Sequence, residues 1–331
     1  MSSDVVPARD GTMKAIVHRR YGSPDVLELA DVERPVPSAD QVLVRIRASS
    51  VNALDWHTLR ADPFIVRASE GLRRPRQPIR GVDVAGEVEA VGGNVTHVRP
   101  GDAVFGSRDG AFAEYVAGRT FVPKPANLTF EEAAAVPTAG ITALQALRDK
   151  GQLQHGQRVL VTGAGGGVGT FAVQIAKALG ADVTAVTRTA NVEMVRSIGA
   201  DRVIDYTRDD IGSDTARYDV ICDVAGYQPL ADLARLLRPG GRVVIVGAGH
   251  GHGFAPIVRI VGGALRARLA GQPLLPFLAK PNRDDLVVLR ELVEGGKVRP
   301  VIDRTYPLAQ AADAIRYLES GQARGKVVIT I

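Results

Sequence analysis

Residues 158–180 read RVLVTGAGGGVGTFAVQIAKALG, and this stretch limits the fold more than any other part of the chain. A short apolar run, Val159 to Val161, leads into a glycine-rich loop and then into a helical pattern. Val168, Phe171, Ala172, Ile175, Ala176 and Leu179 recur at helical spacing as one apolar stripe. Gly180 falls where a left-handed cap belongs. Glycines in such a loop serve the backbone. They permit a tight turn, close approach of a pyrophosphate and close packing of helix on strand. Free N–H groups at the helix start, where the dipole is positive, then hold the phosphate. The literal G-x-G-x-x-G is not met, because Ala164 takes the first glycine place ahead of Gly166 and Gly169, with Gly167 and Val168 between them. The strand–loop–helix context and the strand that follows carry the assignment to dinucleotide binding.

The second strand, Val183 to Thr187, bears on the choice of cofactor. In NAD enzymes an acidic residue about 20 positions past the loop binds the ribose 2′-hydroxyl. Here the strand runs into Thr187-Arg188-Thr189-Ala190-Asn191, with no carboxylate. Hydroxyls and a guanidinium suit a 2′-phosphate, so NADPH is the expected cofactor, with Thr187, Arg188 and Asn191 as candidate contacts. The plain alternative has Arg188 pointing into water.

The rest of the chain divides around this unit. Up to about residue 135, short β-rich runs (MKAIV, QVLVRIRASS, VAGEVEAVG, FAEYVA) alternate with Gly, Pro, Asp and Asn, which suits a β-barrel. From Gln157 to Gly247 strands and helices alternate, which argues a parallel sheet wrapped by helices. After Gly295-Gly296 the text returns to strands, and the closing GKVVITI is expected to rejoin the first unit. The expected fold class is therefore α/β with two domains, one spanning 1–135 and 297–331 and the other 136–296. Residues 248–282 are the least legible part. There His250-Gly-His252 reads either as a metal pair or, lacking flanking acids or a cysteine, as a loop.

Bulk properties exclude several classes. The 331 residues allow two ordinary domains. Net charge is +5, and the densest basic run, Gly71 to Arg80, carries prolines rather than aromatics, so a solvated loop is expected and no nucleic-acid partner. Cys222 is the only cysteine; it rules out an intrachain disulfide and a thiolate cluster, and fits a reducing cytoplasm. MSSDVVPARDGT at the N-terminus reads as a frayed tail. No apolar run approaches the ~20 residues that span a bilayer, so no membrane partner is expected.

One stretch resists local reading: VNALDWH, residues 51–57, gathers an amide, a carboxylate, the only tryptophan and an imidazole. The whole chain supplies context. YGSPDVLEL, VNALDWH, GVDVAGEVEAVG, PGDAVFG, GAFAEYV, AAAVPTAGITALQAL, the glycine loop, GADRVIDY and ARGKVVI occur in an order that resembles the medium-chain dehydrogenase/reductase superfamily, in its zinc-independent quinone oxidoreductase branch. The resemblance runs from Met13 to Ile331. It implies a GroES-like β-barrel domain plus a Rossmann domain, with the active site in the cleft between them.

Zinc-using members carry a cysteine where this chain has Asn52, and Gly-His-Glu where it has Gly81-Val82-Asp83. They also carry a cysteine-rich structural lobe, for which this chain lacks the cysteines. A catalytic zinc needs about three protein ligands, so no metal is expected. By resemblance Asn52 lies beside the nicotinamide ribose, where its amide can donate to a substrate carbonyl oxygen. For His57 two readings stand, a proton donor near the cleft and a structural or exposed histidine. Trp56 reads as core or pocket wall. The resemblance also brings Thr138 to the nicotinamide end, Gly247 and Ala248 to the ribose and ring, and Tyr206, Arg324 and Lys326 to the adenosine phosphates. Tyr206 as packing and Lys326 as a solvated strand entrance are the plain alternatives.

The chemistry implied is NADPH-dependent hydride transfer to a quinone or an α,β-unsaturated carbonyl. An enoyl-thioester reductase and a non-catalytic NADPH-binding protein are the rivals. Relatives commonly pair through their Rossmann sheets, so a homodimer is expected, with GQPLLPFLAK (271–280) as the edge strand.

Overall fold

The computed structural model describes residues 11–62, 66–247 and 274–331. Most of the N-terminal tail, Ala248, His250 and His252 lie outside the described residues.

Strands β1 (Thr12–Val17) and β2 (Glu28–Glu33) form an antiparallel pair of their own. Bridges from Ala15 to Ala113 and from Val17 to Ile79 fasten it to the larger β unit. That unit holds β3 (Val42–Val51), β4 (Asp83–Val91), β5 (Ala103–Ser107), β6 (Tyr115–Gly118) and β7 (Phe121–Pro123). β3 is its hub, pairing with both β4 and β6. This explains why VLVRIRASSV alternates poorly: the strand is buried over most of both faces.

The second sheet is built from β8 (Arg158–Thr162), β9 (Asp182–Thr187), β10 (Arg202–Asp205), β11 (Tyr218–Asp223), β12 (Leu237–Ile245) and β13 (Leu274–Pro276). All pairings are parallel and the spatial order is β10-β9-β8-β11-β12-β13. Numbered from its first strand this order is 3-2-1-4-5-6, the dinucleotide-binding arrangement. Its direction reverses between β8 and β11, and the crevice at that point is where such sheets bind ligands. The strand expected in 271–280 is β13 at the sheet edge, where Pro276 costs no ladder bond on the free side.

The closing strand returns as expected. β14 (Ile302–Pro307) pairs parallel with β15 (Lys326–Thr330), which pairs antiparallel with β3. Among the described residues the α-helices are α1 (Ala53–Arg60), α2 (Val66–Glu70), α3 (Phe130–Ala134), α4 (Pro137–Gln145), α5 (Gly167–Ala178), α6 (Val192–Ser197), α7 (Leu230–Arg235), α8 (Arg283–Glu294) and α9 (Ala311–Glu319). The stripe read on α5 is real: Phe171, Ala172, Ile175 and Ala176 are fully buried in the core that α4 and α8 share. Gly180 follows it in the left-handed region, φ +81°. Among the described residues no helix is long and apolar enough to cross a membrane.

Two details qualify the sequence reading. The basic run exposes Leu72, Arg73, Arg74 and Arg76 but turns inward at Arg80. Arg80 is buried, donating to Oγ1 of Thr58 at 2.6 Å and to the carbonyl of Gln77 at 2.8 Å. Cys222 lies inside β11, where burial pushes its thiol up to about 12 and keeps it protonated.

Candidate active site

A cavity of about 430 Å³ opens at the carboxyl ends of β8, β9 and β11. Its floor is Thr162, Gly163, Gly165 and Gly166. Val186, Thr187, Arg188, Asn191 and Tyr206 form one wall; Val224, Ala225, Tyr227, Gln228 and Gly247 form another. The far side comes from the β-rich domain, through Ala53, Trp56 and His57 of α1 and Leu318, Gly321 and Ala323 at the end of α9. It is a cleft between domains, and both domains supply its lining.

The glycine loop fits a dinucleotide phosphate. Gly166 caps α5 and Gly167 begins it, so the first N–H groups of the helix lie beside the cavity floor. A Cβ on Gly169 would stand 2.1 Å from the carbonyl of Gly163, which explains the last glycine of the motif as tight helix–strand packing. A Cβ on Gly165 would stand 2.3 Å from Nδ2 of Asn191 and 2.7 Å from Oγ1 of Thr187. Ala164 is tolerated because its methyl is buried and its N–H is bonded to the carbonyl of Val186 at 3.0 Å. Val168 is half-buried on the first turn of α5. Asn191 is buried, and among the described residues its Oδ1 has no partner. A buried acceptor left open beside a cavity suits a ligand hydroxyl or amine.

The end of the cavity expected to select the cofactor differs from the plain readings. Arg188 is half-buried and tethered rather than free in water; it donates through Nη1 to the carbonyl of Gly321 at 3.3 Å and through Nη2 to that of Gln322. Tyr206 is half-exposed on the cavity rim rather than packed, with its N–H on the carbonyl of Thr187. Tyr227, which the sequence did not single out, lines the wall just past β11 and is equally exposed. Arg324 is exposed and its N–H donates to Asp303.

At the other end lies a buried polar network that no sequence motif announced. Asn52 is the N-cap of α1, and its backbone N–H donates to Oδ2 of Asp55 at 2.7 Å in a capping box. Its side-chain amide donates to the carbonyl of Ser50 at 3.3 Å and to Oδ2 of Asp83 at 2.9 Å. Its Oδ1 accepts from Nζ of Lys326 at 2.6 Å. Both amide hydrogens are therefore engaged, and the expected donation from Asn52 to a substrate carbonyl is not what this geometry offers.

Lys326 is also placed differently from its expected position at the adenosine phosphates or in solvent. Its stem passes Gly167, and its ammonium lies in the protein interior on Asn52, the carbonyl of Val51 (3.3 Å) and Asp83 (3.4 Å). The physical reason is compensation: Asp83 is fully buried and needs a cation. The other oxygen of Asp83 accepts from the N–H and hydroxyl of Thr138, at 2.8 and 2.6 Å, tying α4 to the network. Burial lowers the pKa of Lys326 against the opposing charges of Asp83 and Asp55. Burial foremost, with the charge of Asp83 adding, pushes Asp55 up to about 6. His57 faces the cavity, stacked on Trp56 at 3.6 Å between ring centres, with Nδ1 2.8 Å from the carbonyl of Asp62. Among the described residues no group of three or more His, Cys, Asp or Glu could hold a metal.

A parallel dinucleotide sheet sharing a cleft with a GroES-like β domain defines a two-domain oxidoreductase that binds a nicotinamide cofactor. Comparison with known proteins gives the family. Residues 38–126 match the family described as Alcohol dehydrogenase GroES-like domain and residues 198–329 match Zinc-binding dehydrogenase. A chloroplast envelope quinone oxidoreductase homolog from Arabidopsis thaliana is 32% identical, over 96% of this chain and 98% of its own. An NADPH-dependent alkenal/one oxidoreductase from the same plant is 34% identical, over 96% and 79%. The solved quinone oxidoreductase from Coxiella burnetii superposes with a TM-score of 0.86 at 30% identity, covering 97% of this chain and 99% of that one. The chain belongs to the medium-chain dehydrogenase/reductase superfamily, in its quinone-oxidoreductase-like branch.

Proposed function

We propose that the protein is an NADPH-dependent, zinc-independent reductase of quinones or α,β-unsaturated carbonyls. The observation that carries this reading is the Lys326–Asn52–Asp83 network. Asn52 and Val82 stand where zinc-using relatives carry cysteine and histidine, and beside them lies an ammonium 2.6 Å from Asn52. A metal cation there would lack ligands and would be repelled by Lys326.

When bound, the cofactor supplies the hydride. The chain supplies position. Thr187, Arg188, Asn191 and Tyr206 take the adenosine ribose and its 2′-phosphate, and Gly166, Gly167 and Val168 at the start of α5 take the pyrophosphate. Gly247 and the wall of Ala53, Trp56 and His57 take the nicotinamide end with the acceptor. Asn52 and Lys326 act behind that wall as a scaffold, fixing α1 against β15 and, through Asp83 and Thr138, against α4. The proton comes from water or from His57. Without a Lewis acid a simple ketone is a poor substrate, whereas a conjugated acceptor spreads the arriving charge onto a distal oxygen. β13 at the sheet edge joins two copies into a homodimer.

The experiment follows NADPH absorbance with a quinone, an enone and an enoyl-CoA. Turnover of the first two supports the reading, and turnover of the thioester alone makes the protein an enoyl-thioester reductase. NADPH binding with no turnover of any acceptor would make it a binding protein.

A further inference from the structure

We propose that the turn after α9, at Gly321 and Gln322, is a cofactor-specificity element that acts through Arg188. The inference rests on the NADPH reading and adds residues from outside the dinucleotide-binding sheet. Arg188 leaves the end of β9, and its side chain crosses the cavity mouth to the β-rich domain, where both terminal nitrogens are bound by consecutive backbone carbonyls. The turn also lines the cavity, through Gly321 and Ala323.

A guanidinium carries five N–H donors in a fixed plane. Two are committed to Gly321 and Gln322, and among the described residues this leaves three for an incoming phosphate. The carbonyls thus hold a long side chain in one rotamer with donors to spare, at the rim where Thr187 and Tyr206 also stand. Ordering such a side chain on binding costs about 0.5–1.5 kcal/mol, equal to about two- to twelvefold in affinity. Here that ordering precedes binding. NADH, lacking the phosphate, gains nothing from it. The turn therefore raises the preference for NADPH without touching the cofactor itself.

The position of these carbonyls depends on Gly321, whose φ is +68°. A β-branched residue is strained there, so Gly321→Val displaces the two acceptors. The turn is exposed, and the substitution empties no core. The expected result is a two- to twelvefold fall, about the size given above, in the ratio of NADPH to NADH specificity constants. In an Arg188→Met background the same substitution should leave the ratio where Arg188→Met had put it, since the coupling runs through the guanidinium. Equal losses for both cofactors in Gly321→Val, or an undiminished effect in the Arg188→Met background, would overturn the proposal. A wild-type ratio near one overturns the NADPH reading itself, and is distinguished by needing no variant.

Discussion

The ammonium of Lys326, on the last strand, lies 2.6 Å from Oδ1 of Asn52 at the head of α1. Two residues 274 positions apart thus meet at the seam of the molecule. The cation they share with Asp83 is supplied by the chain itself.

That arrangement predicts a large stability effect. Lys326→Met leaves Asp83 buried without its cation, at a cost of about 3–5 kcal/mol. Adding Asp83→Asn should restore part of the loss. Urea unfolding of the single and double variants checks this; equal stabilities for Lys326→Met and wild type would mean the pair is idle.

Purified protein is expected to hold far less than one zinc per chain and to keep its reductase activity in a strong chelator. A catalytic zinc asks for about three protein ligands, and the cluster offers an amide, an ammonium and carboxylates already bonded. Elemental analysis finding one zinc per chain would overturn the zinc-independent reading.

Gly169→Ala should abolish tight cofactor binding. The added methyl would stand 2.1 Å from the carbonyl of Gly163, so α5 or the loop must shift. Moving the first N–H groups of α5 off the phosphate should weaken NADPH at least tenfold, about 1.4 kcal/mol. Fluorescence titration reads the dissociation constant directly.

Arg188→Ala should weaken NADPH about 10- to 100-fold, the worth of a charge-assisted hydrogen bond of roughly 1.5–3 kcal/mol, and leave NADH within a few-fold. Added salt should narrow the difference between the cofactors, because the guanidinium is only partly buried. A variant that hurts both cofactors equally would remove Arg188 from phosphate recognition.

His18 should make the fold acid-sensitive. Burial, with the nearby Arg80 adding, lowers its pKa to about 4. The unfolded chain therefore binds a proton between about pH 6.5 and 4 that the folded chain refuses. Its contribution to stability is whole above 6.5 and falls away as the pH drops towards 4, by up to about 3 kcal/mol. Unfolding free energies at pH 7 and pH 4.5 should differ less in His18→Gln than in wild type. An unchanged pH dependence would show that His18 titrates normally.

Local physics made much of this chain legible. The loop from Gly163 to Gly169, the stripe on α5 and the absence of an acid after Thr187 depend on spacing and backbone demands that sequence carries explicitly. So does the return of the last strand, since KVVIT reads as β-rich text and pairs with β3. The contacts of Asn52, Lys326 and Arg188 could not be read in this way. Each is an ordinary polar residue whose partner lies far along the chain: Lys326 for Asn52, Asp83 for Lys326, Gly321 and Gln322 for Arg188. Sequence determined that a dinucleotide sheet and a β-rich partner domain would form. The tertiary structure alone decided which buried charges had to compensate one another, because desolvation costs arise only once the two domains close over them.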